Sequence, residues 1–167
     1  MKRIMLAFAL CAACVATHAA TVELDGTNAV AIRGLDVGGQ LYDVSFQTAG
    51  FGDIDQPDLF PFFGDLSGAS EARDKVVVLL NDNNATSVGG ADNAWIAYQQ
   101  VASSGGGIAI RAVGPSYLGG GWESTNFMSS IADSNNYALF AAVPVPATIW
   151  LLAAALGLLS LVKRRLT

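Results

Sequence analysis

The feature that most limits how this chain can fold is an uncharged apolar run near its C-terminal end. Residues 147–162 contain no charged side chain, and Lys163, Arg164 and Arg165 follow at once. A helix of this length spans about 24 Å, slightly less than a bilayer core of roughly 30 Å, and bilayer thinning or snorkelling basic side chains can close that gap. The run has no amphipathic stripe of the kind that suits a buried core helix. The sequence therefore predicts a transmembrane helix over 147–162, with the basic cluster as a cytoplasmic stop.

A second apolar stretch lies at the other end of the chain. Residues 4–15 are apolar and follow Lys2 and Arg3, which form a short basic segment. Twelve apolar residues span only about 18 Å as a helix, which is too short to cross a bilayer. Small residues follow and end at Ala19 and Ala20. This order is typical of a signal peptide over residues 1–19, read by the Sec translocon and cut by signal peptidase after Ala19 or one residue later.

Removal of residues 1–19 changes the chemistry that the chain can perform. Cys11, Cys14 and His18 are the only cysteines and the only histidine of the sequence, and all three lie in this segment. A lipid attachment site at Cys14 would need Leu where Cys11 stands. Without these residues the exported chain has no disulfide, no Cys–His or Ser–His nucleophile pair and no zinc site built from His or thiolate. Most hydrolase and metalloenzyme mechanisms are thereby excluded.

The charge of the central segment 20–142, which we call the body, is strongly negative. All 14 acidic residues of the chain lie here against four basic residues, a difference of −10. The basic residues are Arg33, Arg73, Lys75 and Arg111. Such a surface repels phosphate backbones, so we expect no nucleic acid partner. Solubility outside the cell accounts for the charge, and cations or neutral polymers remain possible partners.

Two prolines stand between the body and the predicted helix. The segment consists of Val143, Pro144, Val145, Pro146 and Ala147. Proline cannot sit in a helix interior, and it biases the preceding residue toward extended backbone. We therefore expect an extended, exposed strip just outside the membrane. A membrane enzyme that grips a substrate in extended form would require such a strip.

The order of signal peptide, body, short proline motif, apolar helix and terminal basic cluster resembles that of the PEP-CTERM proteins of Gram-negative bacteria. Residues 143–147 are similar to the VPxPA variant of the family motif, with Val145 in place of the Glu of the majority form. The resemblance covers residues 143–167, which we call the tail, together with the signal peptide. It implies recognition and cleavage of the tail by an exosortase, a membrane cysteine transpeptidase. It also implies a precursor in the inner membrane, a mature protein at the cell surface or in the extracellular matrix, and a link to exopolysaccharide and biofilm.

The body reads as a small α+β domain, mainly antiparallel sheet with one covering helix. The predicted helix covers residues 70–80 and ends in the polar run 81–84, although three consecutive valines favour a strand. Gly39 is placed to turn a hairpin, after which Leu41, Val44 and Phe46 are expected in the core. Strands are predicted over 22–24, 29–33, 41–46, 95–99, 108–113, 122–127 and 137–142.

Closely spaced carboxylates suggest two further kinds of site. Asp53, Asp55, Asp58 and Asp65 lie within 13 residues of one another. Asp53, Asp55 and Asp58 are weak candidates for Ca²⁺, because the EF-hand pattern fails where Pro57 takes a ligand position. Two of the acids could instead form a glycosidase pair, but acids crowded in an exposed loop are poor candidates for a raised pKa. We expect a solvated acidic loop with no bound cofactor.

A set of aromatic residues could stack on sugar rings if exposed, and is core if buried. The set contains Phe60, Phe62, Phe63, Trp95, Tyr117 and Trp122. We expect most of them in the core. Three functions are consistent with these patterns: a non-enzymatic surface or matrix protein sorted by an exosortase, a secreted carbohydrate-active enzyme with a carboxylate pair, and a permanently anchored single-span protein. The first is the expectation carried forward.

Overall fold

Eight strands, one α-helix and two short 3-10 helices, Phe51–Asp53 and Pro57–Leu59, form the part of the chain that the computed structural model describes, residues 19–54, 57–103 and 106–144. The strands are β1 Thr21–Asp25, β2 Asn28–Val37, β3 Gln40–Gly50, β4 Ser87–Val88, β5 Ile96–Ala102, β6 Ile108–Tyr117, β7 Trp122–Ser130 and β8 Ser134–Ala142, and the helix is α1 Leu66–Asp82. Each strand predicted for the body is present, and so is the covering helix predicted over residues 70–80. Most of these elements are longer than the pattern indicated. The prediction of a mainly antiparallel β body with one helix is confirmed.

The hairpin between β2 and β3 shows why the strand pattern could be read. Val37 pairs with Gln40, which leaves Gly38 and Gly39 as a two-residue turn with φ of 61° and 84°. Positive φ at both central residues is the geometry that favours glycine in tight hairpins. The predicted turn at Gly39 is therefore confirmed.

The strands form two sheets, one with the order β1-β2-β3-β8 and one with the order β5-β6-β7. Short strand β4 runs parallel to the start of β2. Trp95, just before β5, connects the sheets: its N–H donates to Asn136 O at 2.8 Å, and its carbonyl accepts from Ala138 N–H at 3.0 Å. Strand β8 therefore contacts β3 along one edge and the start of the second sheet along part of the other.

Helix α1 begins at a side-chain cap and is held by burial of one face. The Asp65 carboxylate accepts a hydrogen bond from Gly68 N–H at 3.0 Å, as favoured N-cap residues do. The buried positions recur at helical spacing and are Ala69, Ala72, Val76 and Leu80. Of the three consecutive valines, Val76 is fully buried while Val78 is 57% exposed. Helical burial thus outweighs the strand preference of the valines.

Two apolar clusters lie on opposite faces of β8. Ala138 and Phe140 belong to a cluster between α1 and both sheets, whereas Tyr137 and Leu139 belong to a cluster beneath the segment around Phe60. A strand buried on both faces reads as a continuous apolar run, as residues 137–142 do. Strand β8 is thus the element that both clusters share.

One predicted core position differs in the structure. Val44 is fully buried and Phe46 is half-buried against the first cluster, but Leu41 is absent from both clusters. Tyr42 packs there instead, because strand side chains alternate and positions 42, 44 and 46 share a face. Because Leu41 is apolar, the prediction placed it in the core although it lies on the opposite face from Val44 and Phe46.

The segments that carry the predicted targeting signals lie largely outside the described residues. These are residues 1–18 and 145–167, which include most of the signal peptide and the whole predicted helix 147–162. Within residues 19–54, 57–103 and 106–144, no helix has the length and apolar character needed to cross a bilayer.

Candidate functional site

The candidate site is the point where the tail leaves the folded body. Ala142, the last residue of β8, pairs with Tyr42. Val143 continues this pairing, because its N–H donates to Leu41 O at 2.9 Å. Val143 is half-buried and Pro144 is exposed. These are the first two residues of the predicted motif; Val145, Pro146 and Ala147 lie outside the described residues.

The carbonyl group of Val143 is also bound to the body. The side-chain amide Nε2 of Gln40 donates to Val143 O at 3.3 Å and to Leu41 O at 2.9 Å. Both backbone hydrogen-bonding groups of Val143 are therefore occupied. We call the group formed by Gln40, Leu41, Val143 and Pro144 the tail exit.

Pro144 is compatible with the end of a strand because of the side on which its nitrogen lies. In β8 the backbone groups of Asn136 and Ala138 point toward Trp95, away from β3, while that of Val143 points toward β3. Since these directions alternate along a strand, the Pro144 nitrogen also lies on the side away from β3. Proline is tolerated at such edge positions. Pairing with β3 stops here because β3 begins at Gln40, directly after the Gly38–Gly39 turn.

Both ends of the body lie at the same end of the first sheet. Thr21 pairs with Arg33 near the end of β2, and Leu41, the partner of Val143, pairs with Asp36 in the same strand. Two strands separate β1 from β8, so the ends lie roughly 15–20 Å apart at the usual strand spacing. Ala19 and Ala20, the predicted cleavage residues, directly precede Thr21. Ala20 and Pro144 therefore leave the first sheet at the same end, with two strands between them.

The turn beside the tail exit is fastened to helix α1. Glu71 Oε1 accepts from Gly38 N–H at 3.1 Å and forms an ion pair with Lys75 Nζ at 2.8 Å. Lys75 also donates to Asp36 O at 2.6 Å. The hydrogen bond from Lys75, followed by that from Gly38, lowers the pKa of the Glu71 carboxyl below its ordinary value. Helix α1 therefore holds the turn from which Gln40 projects.

A depression of about 660 Å³ lies next to this turn, between α1 and β2. Its lining combines the apolar side chains of Leu35, Val78 and Leu79 with the charged side chains of Glu71 and Lys75. Sequence reasoning did not single out this surface or Gln40. The doublet of glycines before Gln40 marks the turn, but only the pairing of β3 with β8 brings Gln40 to Val143.

The acidic candidates do not gather into a metal site in the described part of the chain. Asp53 and Asp58 are both exposed, and Asp55 lies outside the described residues. Asp65 serves as the cap of α1. No group of three or more potential metal-ligating side chains is found in residues 19–54, 57–103 and 106–144.

The aromatic candidates lie mainly in the core. Trp95 stacks on Phe127 with ring centroids 4.2 Å apart, and Trp122 Nε1 donates to Ala85 O. Phe60, Phe62, Trp95 and Trp122 are buried, and Tyr117 is partly buried. Phe63 alone of the six is exposed, at 45%.

Comparisons of the chain with protein-family models, with curated proteins and with solved structures find no match.

Proposed function

We propose that this is a non-enzymatic exported protein that an exosortase-type membrane enzyme sorts to the cell surface or the extracellular matrix. Its precursor enters the Sec translocon, loses its signal peptide to signal peptidase and is held in the inner membrane by the helix 147–162. The enzyme then cuts within the tail, and the body is released to the surface. Exopolysaccharide is the proposed partner there.

One observation carries this proposal: both ends of the body emerge at the same end of the first sheet. During export the signal peptide and the C-terminal helix occupy the same membrane, so a body lying on one side of it must present both ends toward that membrane. Thr21 beside Arg33 and Val143 beside Leu41 meet this requirement. A body with ends on opposite faces would need a longer connection to one of them.

The short distance from the body to the predicted helix supports the same proposal. Ala147 follows Val143 by four positions, and four fully extended residue steps span at most about 14 Å. The folded sheet therefore lies close to the membrane surface, and the proline strip lies in the space between. A membrane enzyme that reads this strip meets it at a fixed depth.

The chemistry of the body favours a structural role over catalysis. Segment 20–142 contains neither His nor Cys. Of the acidic candidates that the structure describes, Asp53 and Asp58 are exposed and Asp65 caps α1. A surface with a difference of −10 between basic and acidic residues keeps such a domain soluble outside the cell. The body is therefore proposed to act through binding or assembly in a polysaccharide matrix.

Intact-mass analysis of the protein recovered from the cell surface tests the proposal at both ends at once. We expect an N-terminus at Ala20 or Thr21 and a C-terminus within the proline strip, with the helix 147–162 absent. The membrane fraction of the same cells serves as the control, because it should contain the precursor with the helix attached. Surface protein that retains the whole tail would contradict the proposal and favour a permanent anchor.

A further inference from the structure

The tail exit indicates where the folded body ends within the proline motif. We propose that Val143 belongs to the folded body, that the segment open to the processing enzyme begins at Pro144, and that Gln40 is the positioning residue. This inference rests on the proposed function, because it locates the bond that the enzyme cuts. It assigns Val143 of the motif to the sheet and makes Pro144 the first residue open to the enzyme.

A cut at or before Val143 would disrupt the pairing between the end of β8 and β3. Enzymes that cut peptide bonds bind the substrate in extended form through its backbone groups. Val143 has both of these groups occupied, by Leu41 and Gln40. Access to this bond would require the end of β8 to separate from β3, including the pair Tyr42 and Ala142. A cut beyond the exposed Pro144 requires no such separation.

Gln40 is itself held in place by the turn that precedes it. Its turn is fixed by Gly39 N–H, which donates to Asp36 Oδ1 at 2.8 Å, and by Gly38 N–H, which donates to Glu71. The Gln40 amide can thus bridge Leu41 O and Val143 O without loss of further backbone freedom. A side chain on a fixed turn loses less entropy on binding than one on a mobile loop.

The division also fixes the space in which the enzyme works. If Val143 stays with the sheet, only Pro144, Val145 and Pro146 lie between the body and the predicted helix. Three extended residues span about 10 Å. The active site must therefore approach the bond within this distance of both the body and the bilayer.

Intact-mass analysis of the released body tests the position of the cut. The expected C-terminal residue is Pro144 or a later one. A released body that ends at Val143 or earlier would overturn the inference while leaving the proposed sorting function intact. Release with the whole tail attached would contradict the proposed function, and the next measurement then decides the inference by itself.

Limited proteolysis of the full chain in detergent measures the accessible boundary without the membrane enzyme. With a broad-specificity protease we expect the resistant fragment of the wild type to end at Pro144 or later. Gln40→Met keeps the length of the side chain but removes the amide donor, and should raise the rate of cutting at or before Val143 roughly two- to tenfold, the change expected for loss of one hydrogen bond. Gln47→Met, an exposed position on the same strand, is the matched control and should behave like the wild type.

Proteases avoid prolyl bonds, so Pro144→Ala separates the effect of the sheet from that of the proline. The resistant fragment of this variant should still end at residue 144 or later. A fragment that ends at or before Val143 in the wild type or in Pro144→Ala overturns the inference. Equal cutting rates in Gln40→Met and Gln47→Met would overturn the positioning role of Gln40.

Discussion

The two ends of strand β8 differ in how they are held. At its start, the side chain of Asn136 is buried, and its Nδ2 donates to Val88 O at 2.9 Å and to Asn93 O at 2.7 Å. At its end, Ala141, Ala142 and Pro144 are exposed, and within the part of the chain that the structure describes β3 and the Gln40 amide hold the backbone. One strand therefore joins the two sheets at one end and leads out of the fold at the other.

The contacts that stabilise the body therefore lie at the start of β8, and the exposed residues that lead into the tail lie at its end. Changes at the start of β8 should alter unfolding of the body without altering the tail. Changes beyond its end should alter processing of the tail without altering the body. The predictions below test this separation.

The largest effect is expected in the tail. Pro146→Leu removes the proline that is predicted to end the helix on its outer side, so we expect the helix to extend toward the body and the predicted extended strip to be lost. The protein should reach the membrane but remain there uncut, at nearly full mature mass. Cell fractionation and blotting for the body measure this. Val145→Leu introduces the same side chain but keeps both prolines, and is the matched control that should be processed.

The fate of Pro146→Leu distinguishes two interpretations of the tail. Release and shortening of this variant at the wild-type rate would mean that the processing enzyme does not read the proline motif. The stability of the body should be the same in both variants.

The next effect is expected at the start of β8. Asn136→Leu removes the two hydrogen bonds from Nδ2, although Val88 O still accepts from Ala91 N–H at 2.9 Å. It also removes Oδ1, which is buried without a partner in the described part of the chain. A hydrogen bond contributes about 0.5–1.5 kcal/mol net, so loss of the two should lower the free energy of unfolding by about 1–3 kcal/mol. Urea denaturation with an unchanged slope measures it. Gln47→Leu, an exposed change on the neighbouring strand, should cost less than about 0.5 kcal/mol.

The sequence predicted most of the strands and the helix of the body, but not the contact by which β8 joins the two sheets. Alternating apolar residues and glycine pairs are local signals, and they placed the strands and the Gly39 turn. The contact of Trp95 with Asn136 and Ala138 joins residues about 40 positions apart, and no local pattern encodes it. The same holds for Gln40 and Val143, which are 103 positions apart. The proline motif is a local pattern of the sequence, whereas no local pattern indicates that the Gln40 side chain binds Val143.

A smaller effect of opposite sign is expected at Tyr137. Burial raises the pKa of this tyrosine, and Asn135 opposes the rise only in part, so the hydroxyl stays neutral. Within the described residues the hydroxyl oxygen is buried without a hydrogen bond of good geometry. Tyr137→Phe removes this cost and should raise the free energy of unfolding by about 1 kcal/mol. A fall in stability would mean that the hydroxyl has a partner, such as a bound water, and that the start of β8 depends on it.

The smallest effect is expected at Glu71, which fastens the turn beside the tail exit. Its pKa is lowered, so its stabilising contribution is present above the ordinary value of 4.5 and is lost as the pH falls through the folded-state value. Glu71→Gln should therefore lower the melting temperature slightly at pH 7, by less than Asn136→Leu does, because the carboxyl is exposed and solvent screens its interactions. The difference from wild type should shrink as the pH falls through the folded-state pKa of Glu71, below which both side chains are neutral.

Glu123→Gln, an exposed acid on β7, is the control and should show no such convergence. If the Glu71 difference does not shrink as the pH falls, the hydrogen bond to Gly38 rather than the charge holds the turn. If it is absent at pH 7, α1 does not fasten this end of the sheet, and the end of β8 depends on β3 and Gln40 alone.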